Sequence, residues 1–330
     1  MEAKVKTVYF VLPCFNEEKV LPKTSVILFE KIQSLISQNK ISKESKAVFI
    51  DDGSTDNSWE IIKDISEKMK VFGGIKLTCN RGHQNALLAG LLSCKDFADA
   101  VISLDADLQH NIDAFDEMTD RFNEGFDIVY AVRDSNASDS FMKKIFSSWF
   151  YKVMNFMGAK LVYNSADYRL MSKRALNSLE KYKEVNLFLR GIVPTIGYKS
   201  CVVHYSENKR FGGESKYTLK SMISLALQGV TSFTIKPVRM IMYVGIIIVI
   251  MNIPVLIYIL MAFFVHNYMP GWGSLLLSIW FLGGVELIAI GIVGEYLGKI
   301  YLETKNRPRF LIEESTLDTP HIISQKINFD

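Results

Sequence analysis

Two long apolar runs constrain what this chain can fold into. Residues 240–265 carry no charged side chain, and residues 275–293 are interrupted only by Glu286. About 20 apolar residues in a helix cross the hydrocarbon core of a bilayer. Core helices of soluble proteins seldom stay apolar on every side for that length. We therefore predict two transmembrane helices within residues 236–300, joined as a hairpin.

The charges around these runs predict their orientation. Lys236 and Arg239 precede the first run, basic residues follow the second, and the loop at residues 266–273 has no Lys or Arg. Because basic flanks stay on the cytoplasmic side, we expect a cell-membrane protein of two spans with both termini cytoplasmic and a cytoplasmic tail at residues 301–330. Residues 218–235 have an amphipathic pattern typical of a membrane-surface helix, although core packing would give the same pattern.

Charge and cysteine content exclude other classes of protein. The net charge of +3 is too small to indicate a nucleic-acid partner. The four cysteines are widely spaced and form no Cys-x-x-Cys pair. This pattern argues against a zinc site or a disulfide framework.

The region before the apolar runs alternates between strand-like and helix-like patterns. This alternation is typical of an α/β domain with a Rossmann-like, mostly parallel sheet. Ligands of such sheets bind at the carboxyl ends of the strands. The predicted strands are residues 8–12, 47–50, 75–78, 100–104 and 128–131, and the predicted helices are residues 21–37, 58–69, 86–92 and 114–124.

Acidic side chains follow two of the predicted strands. Asp105 and Asp107, directly after residues 100–104, supply hard oxygen ligands of the kind that Mg²⁺ or Mn²⁺ prefers. In a nucleotide-sugar enzyme, a cation there would neutralise the diphosphate leaving group, but acidic strand ends also cap helices. The segment Asp51-Asp52-Gly53-Ser54 supplies acceptors for base and ribose hydroxyls after a tight turn, and helix capping is again the alternative.

Four motifs in this order resemble family 2 glycosyltransferases of the GT-A fold. They are Pro13-x-Phe15-Asn16-Glu17, Asp51-Asp52-Gly53-Ser54, Asn80-Arg81-Gly82-His83-Gln84 and Asp105-Ala106-Asp107-Leu108-Gln109. Three further segments narrow the resemblance to bacterial polyprenyl-phosphate glycosyltransferases, the bactoprenol glucosyltransferase group. They are Asp167-Tyr168-Arg169-Leu170-Met171-Ser172, Arg210-x-x-Gly213-x-Ser215-Lys216-Tyr217 and Gly294-Glu295-Tyr296-Leu297-Gly298-Lys299-Ile300-Tyr301.

The resemblance implies a GT-A domain at residues 1–217 and a role for each matching residue. Nucleotide-sugar binding falls to Pro13, Phe15, Glu17, Asp52, Asp105, Arg210 and Lys216. Metal binding falls to Asp105, Asp107 and Gln109, acceptor-phosphate binding to Arg133 with Lys143 or Lys144, and catalysis to Asp167 and Asp107. A phosphate acceptor is already largely ionised at neutral pH, so we expect Asp167 to orient a partner rather than to abstract a proton.

The resemblance implies inverting transfer of a hexose to undecaprenyl or another polyprenyl phosphate, with UDP-glucose as the expected donor. GDP-mannose, UDP-N-acetylglucosamine or an aminosugar nucleotide are alternative donors. A non-enzymatic membrane scaffold is the alternative of another class, since a fold alone does not give a function. Glycines around Glu286 would allow close helix approach, so we also expect a homo-oligomer.

Overall fold

Eight strands form one mixed sheet in the part of the chain that the computed structural model describes. The described residues are 5–108, 110–134, 162, 165–184, 188–206 and 271–317, with isolated positions between 238 and 261. The strands are β1 Val8–Cys14, β2 Lys46–Asp51, β3 Phe72–Leu77, β4 Ala100–Ser103, β5 Ile128–Arg133, β6 Ser165–Ser172, β7 Ser200–Tyr205 and β8 Ile312–Ser315. The helices are α1 Leu21–Ser37, α2 Ser58–Lys68, α3 His83–Cys94, α4 Ala114–Asn123, α5 Lys173–Leu179, α6 Leu189–Thr195 and α7 Trp272–Thr304.

The strand order is β7-β5-β6-β4-β1-β2-β3-β8. Strands β1 to β4 pair in parallel, as do β5 and β7. Strand β6 is antiparallel to both β4 and β5. Its amino end therefore lies at the sheet edge where β4 and β5 end, which brings Asp167 beside the residues that follow β4. The expected α/β domain with a mostly parallel sheet is confirmed.

The sheet is the core of this unit because its central strands are apolar on both faces. Phe10 and Phe49 are fully buried, as a parallel sheet covered by helices requires. Helix α4 turns Phe115 and Met118 into the same core. Helix α3 approaches the sheet at Gly90, where a Cβ atom would lie 2.4 Å from Val11 and 2.7 Å from Ile50.

The second compact unit contains helix α7. Within the described residues, its segment Phe281–Thr304 is the single helix that is long and apolar enough to cross a membrane. Most of the first apolar run, residues 240–265, lies outside the described residues, so a two-helix hairpin is not confirmed. Residues 218–235 also lie outside them, and the predicted division into domains stays a prediction.

Strand β8 is the main feature of the sheet that the sequence pattern did not predict. It lies within the segment expected to be a tail and pairs antiparallel with β3. The side chain of Thr316 accepts from the backbone N–H of Gly74 at 2.8 Å, and Trp59 donates to Glu314 at 2.9 Å. The chain that follows α7 therefore belongs to the same compact unit as the rest of the sheet.

Candidate active site

The polar residues of the candidate site lie along one edge of the sheet. Asp105 follows β4, Phe15 follows β1, and Asp52 follows β2. Asp167, near the amino end of β6, is opposite the end of β4 because Ser103 pairs with Arg169. The topology therefore brings together side chains from distant parts of the sequence.

Asp105 is held by a buried histidine. Its Oδ2 lies 3.0 Å from Nε2 of His110, while Nδ1 of His110 lies 2.7 Å from the hydroxyl of Tyr205. Burial raises the pKa of Asp105, but the hydrogen bond and charge of His110, with the charge of His83, outweigh that effect and hold the pKa below its usual value. The Asp105 side chain remains 42% exposed, so it stays accessible to a ligand.

Asp167 is buried and surrounded by donors. Its Oδ1 accepts from Nη2 of Arg169. Its Oδ2 accepts from Nε2 of Gln84 at 2.9 Å and from Nη2 of Arg190 at 3.2 Å, and lies 3.7 Å from Nε2 of His83. Burial raises the pKa of Asp167, but Arg190, His83 and Arg169 together hold it well below its usual range. Asp167 is therefore an ionised acceptor of hydrogen bonds.

His83 lies between the two carboxylates. Its Nε2 is 3.6 Å from Oδ1 of Asp105 and 3.7 Å from Oδ2 of Asp167. Burial lowers the pKa of His83, but the nearby negative charges of Asp167 and Asp105 raise it above its usual value. The His83 side chain therefore attracts both the carboxylate that follows β4 and the carboxylate of β6.

The loop that carries His83 is fixed by Asp52. Oδ1 of Asp52 accepts from the Arg81 N–H at 2.7 Å, and Oδ2 accepts from the Gly82 N–H at 2.9 Å. The preceding turn requires Gly53, which has a φ of 67° and where a Cβ would lie 2.6 Å from the carbonyl carbon of Cys79. In this structure Asp52 therefore positions the His83 loop, and its predicted contact with nucleotide stays a prediction.

The other predicted residues take varied positions. Phe15 is 42% exposed at the end of β1 and could stack on a base, whereas Pro13 is buried within β1 and Glu17 is half-buried. Arg133 is the last residue of β5 and pairs with Tyr205 of β7. Five predicted residues lie outside the described residues: Gln109, Lys143, Lys144, Arg210 and Lys216.

The described carboxylates suit a cation that the substrate helps to bind. Among the described residues, no group of three or more His, Cys, Asp or Glu side chains could hold a metal ion by itself. Mg²⁺ is commonly held by one or two carboxylates together with substrate phosphates. Asp105 and Asp107, both half-buried on the loop after β4, fit that role. The loop is anchored by Thr24, whose hydroxyl donates to the Ala106 carbonyl at 2.7 Å.

Comparison with known proteins agrees with the motifs on this sheet edge. Residues 9–179 match the profile of the family described as Glycosyl transferase family 2. The chain belongs to this family. The GT-A fold expected from the motifs is therefore confirmed, and so is a glycosyltransferase at the level of the family.

Relatives of the family match nearly the whole chain. The uncharacterized glycosyltransferase YkoT of Bacillus subtilis (strain 168) is 47% identical, covering 92% of this chain and 90% of the relative. The SfII prophage-derived bactoprenol glucosyl transferase of Shigella flexneri is 35% identical, covering 94% of this chain and 98% of the relative. Among solved structures, mannosyl-3-phosphoglycerate synthase from Rubrobacter xylanophilus has a TM-score of 0.48 at 14% identity, covering 68% of this chain and 72% of that one.

Sequence reasoning missed four residues of this candidate site: Gln84, His110, Arg190 and Tyr205. Gln84 lies in the motif at residues 80–84, which implied no role for it, and it also accepts from the Leu189 N–H at 3.1 Å. Arg190 and Tyr205 lie far along the chain from the acidic motifs and carry no motif of their own. The adjacency of His110 to the Asp105 motif was the one signal in the sequence that could have indicated its contact.

Proposed function

We propose that this family 2 protein transfers a hexose from a nucleotide sugar to a polyprenyl phosphate, with UDP-glucose as donor and undecaprenyl phosphate as acceptor. The observation that carries the proposal is the shared sheet edge, where Asp105 lies between the exposed ring of Phe15 and the Asp167–Arg190 pair. The bactoprenol glucosyl transferase, which matches 94% of this chain, supports the choice of acceptor and sugar.

The proposed reaction is a single displacement. An oxygen of the acceptor phosphate forms a bond to the anomeric carbon while the bond from that carbon to the diphosphate breaks, and the nucleoside diphosphate leaves with the bonding electrons. The configuration at the anomeric carbon inverts. A Mg²⁺ or Mn²⁺ ion bound by Asp105 and Asp107 would supply neutralisation of the leaving diphosphate.

We assign Asp167 a positioning role in this reaction. A phosphate monoester has its second pKa at about 6, so the acceptor needs little deprotonation. Asp167 is also a poor base because Arg190, His83 and Arg169 outweigh the effect of burial and hold its pKa well below the usual range. Its bond to Arg190 orients a guanidinium, a group that pairs well with phosphate oxygens. The Arg190 side chain is 34% exposed, which leaves it accessible to the acceptor.

The sheet supports two membrane spans. Strand β7 precedes α7 in the sequence and β8 follows it, and both strands belong to one compact unit. A folded sheet lies on one side of a membrane, so the chain between these strands crosses an even number of times. If α7 crosses once, the apolar run at residues 240–265 supplies the second crossing. The basic flanks support a cytoplasmic location of the sheet in this proposal.

A donor panel tests the proposal. The purified full-length protein is supplied with undecaprenyl phosphate, Mn²⁺ and one donor at a time: UDP-glucose, UDP-N-acetylglucosamine or GDP-mannose. We expect a hexosyl lipid, detected by mass, from UDP-glucose. A product formed only with another donor would replace the proposed sugar, and turnover with none of them would overturn the transferase proposal in favour of a scaffold.

A further inference from the structure

A buried histidine and tyrosine lie directly behind the carboxylate that is expected to meet the cation. We propose that His110 is a positioning residue for Asp105 and that Tyr205 acts on Asp105 through His110. The inference rests on the proposed function, because it concerns how a metal-binding carboxylate is aimed. Neither His110 nor Tyr205 belongs to a motif that was assigned a role.

The hydrogen bond at Asp105 has a defined direction. The Asp105 carboxylate can only accept, so Nε2 of His110, 3.0 Å from Oδ2, carries a hydrogen and donates. The other ring nitrogen, Nδ1, lies 2.7 Å from the Tyr205 hydroxyl, which donates to a neutral ring and accepts from a protonated one. In both states the bond to Tyr205 keeps the ring oriented with Nε2 toward Asp105.

The histidine ring is held in one orientation by aromatic contacts. It stacks on Tyr168 with a centroid separation of 4.9 Å and an interplanar angle of 30°. Tyr205 meets it edge-on at 5.5 Å and 78°. His110 is only 7% exposed, so rotation of the ring would disturb the packing of both tyrosines. The donor therefore stays aimed at Oδ2 of Asp105.

This arrangement determines which carboxylate oxygen of Asp105 is available to a cation. His110 engages Oδ2, while Oδ1 lies on the side of His83, at 3.6 Å, and the side chain is 42% exposed. A carboxylate held through one oxygen can present the other to a cation without losing orientational freedom on binding. Residues that orient a metal ligand typically contribute about 10- to 100-fold to metal affinity.

Two tyrosine variants of the full-length protein test the inference. Tyr205→Phe keeps the ring and removes the hydroxyl that reaches His110. Tyr168→Phe is the matched control, because its buried hydroxyl donates to the Asn111 carbonyl at 3.1 Å instead. Binding of Mn²⁺ in the presence of UDP is measured from the electron paramagnetic resonance signal of the free ion. We expect Tyr205→Phe to raise the Kd for Mn²⁺ by about tenfold and Tyr168→Phe to leave it within about twofold.

A double variant separates positioning from general packing. His110→Phe keeps the stacked ring and removes both nitrogens, so it should weaken Mn²⁺ binding at least as much as Tyr205→Phe. If Tyr205 acts through His110, the double variant should be no weaker than His110→Phe alone, because interacting residues are not additive. Equal Mn²⁺ affinity of the wild type and Tyr205→Phe would overturn this inference but not the proposed function. Additive losses of Mn²⁺ affinity in the double variant would do the same. Absence of Mn²⁺ binding to the wild type would overturn the proposed metal site as well.

Discussion

At the scale of single residues, two carboxylates of the site have opposite surroundings. Asp167 is 4% exposed and its two oxygens are engaged by side chains from three different elements. The Asp105 side chain is 42% exposed and has one oxygen bonded to His110. Asp167 therefore holds neighbouring side chains in place, while Asp105 is available to a ligand.

Asp107→Ala should abolish transfer, because it removes a proposed metal ligand. The protein should stay folded with an unchanged thermal midpoint, because Asp107 lies on a loop after β4 and outside the buried core. The same assay of the wild type in excess chelator should lose activity and regain it on addition of Mn²⁺. Full turnover in chelator would contradict metal dependence.

Asp167→Asn should make the free energy of unfolding less sensitive to acidic pH. The folded-state pKa of Asp167 is depressed, so its ionised form stabilises the fold above the unfolded value of about 3.9, and this contribution is lost as pH falls below it. At pH 7 the free energy of unfolding of the variant should be lower than that of the wild type by about 3 kcal/mol. On acidification it should fall by less than that of the wild type. Asp64→Asn is the control, since Asp64 forms an exposed pair with Lys68. Parallel pH profiles of wild type and Asp167→Asn in thermal unfolding would refute the assignment.

Gln84→Met should slow transfer with little change in donor binding. Gln84 links Asp167 to the Leu189 N–H, so its loss should shift Asp167 and Arg190 relative to the acceptor. A displacement of about 1 Å can cost about 100-fold in rate, and we expect a fall in kcat of about 10- to 100-fold. Asn85→Ala removes a neighbouring amide that is bonded to the Arg81 carbonyl, and it should have a smaller effect. An unchanged kcat with a raised donor KM would place Gln84 at the donor instead.

At the scale of elements, the position of α3 determines the geometry of the site. The helix begins at His83, its first turn carries Gln84, and Gly90 lets it lie close against β1 and β2. The loop before it is held by Asp52. The carboxyl edge of β2 and the start of α3 therefore form one rigid support for His83 and Gln84.

Gly90→Ala should destabilise the sheet unit by about 1–3 kcal/mol, because the added methyl would overlap Val11 and Ile50 and the core cannot absorb it without shifting. Thermal unfolding measures the loss. Ser93→Ala, a partly exposed change on the same helix, should leave the midpoint nearly unchanged. Equal midpoints for the two variants would show that α3 does not pack as tightly as described.

At the scale of the whole molecule, the sheet unit contains chain from before and after α7. Strand β8 extends the sheet at β3, which makes the segment after α7 part of the proposed catalytic domain. In the proposed topology, the chain between Tyr205 and Ile312 would enter and leave the membrane on the same side. Whether two copies associate through the glycines near Glu286 stays a prediction.

Cysteine labelling tests the proposed topology. Cys79 is exposed on the sheet unit, and Asn267→Cys in a Cys79→Ser background places a thiol in the loop between the apolar runs. In intact cells, a membrane-impermeant maleimide should label position 267 of this variant, whereas Cys79 of the wild-type protein should be labelled only after permeabilisation. Labelling of both positions before permeabilisation, or of neither, would contradict a two-span hairpin with a cytoplasmic sheet.

The sequence predicted the parallel half of the sheet well. The apolar runs at β1 to β5 and the helical spacing of α1, α2 and α4 matched the structure to within a few residues, because these elements bury complete faces and show a clear period. Strands β7 and β8 were missed. In β7 the exposed and less exposed positions alternate regularly, but the exposed positions include the apolar Val202, so the residue types do not show the alternation. Strand β8 is a short edge strand whose pairing depends on β3 rather than on its own residues.

The acidic motif, the family and an apolar helix long enough to span a membrane were already determined by the sequence, because each depends on neighbouring residues. Only the tertiary structure decided that Gln84, Arg190 and Asp167 meet, and that Tyr205 reaches Asp105 through His110. These contacts join residues far apart in the chain, and they exist because the antiparallel strand β6 and the parallel strand β7 bring their ends to the edge where β4 stops. The residues on either side of each partner do not indicate such contacts. The hydrogen bonds form between side chains that only the sheet order places together.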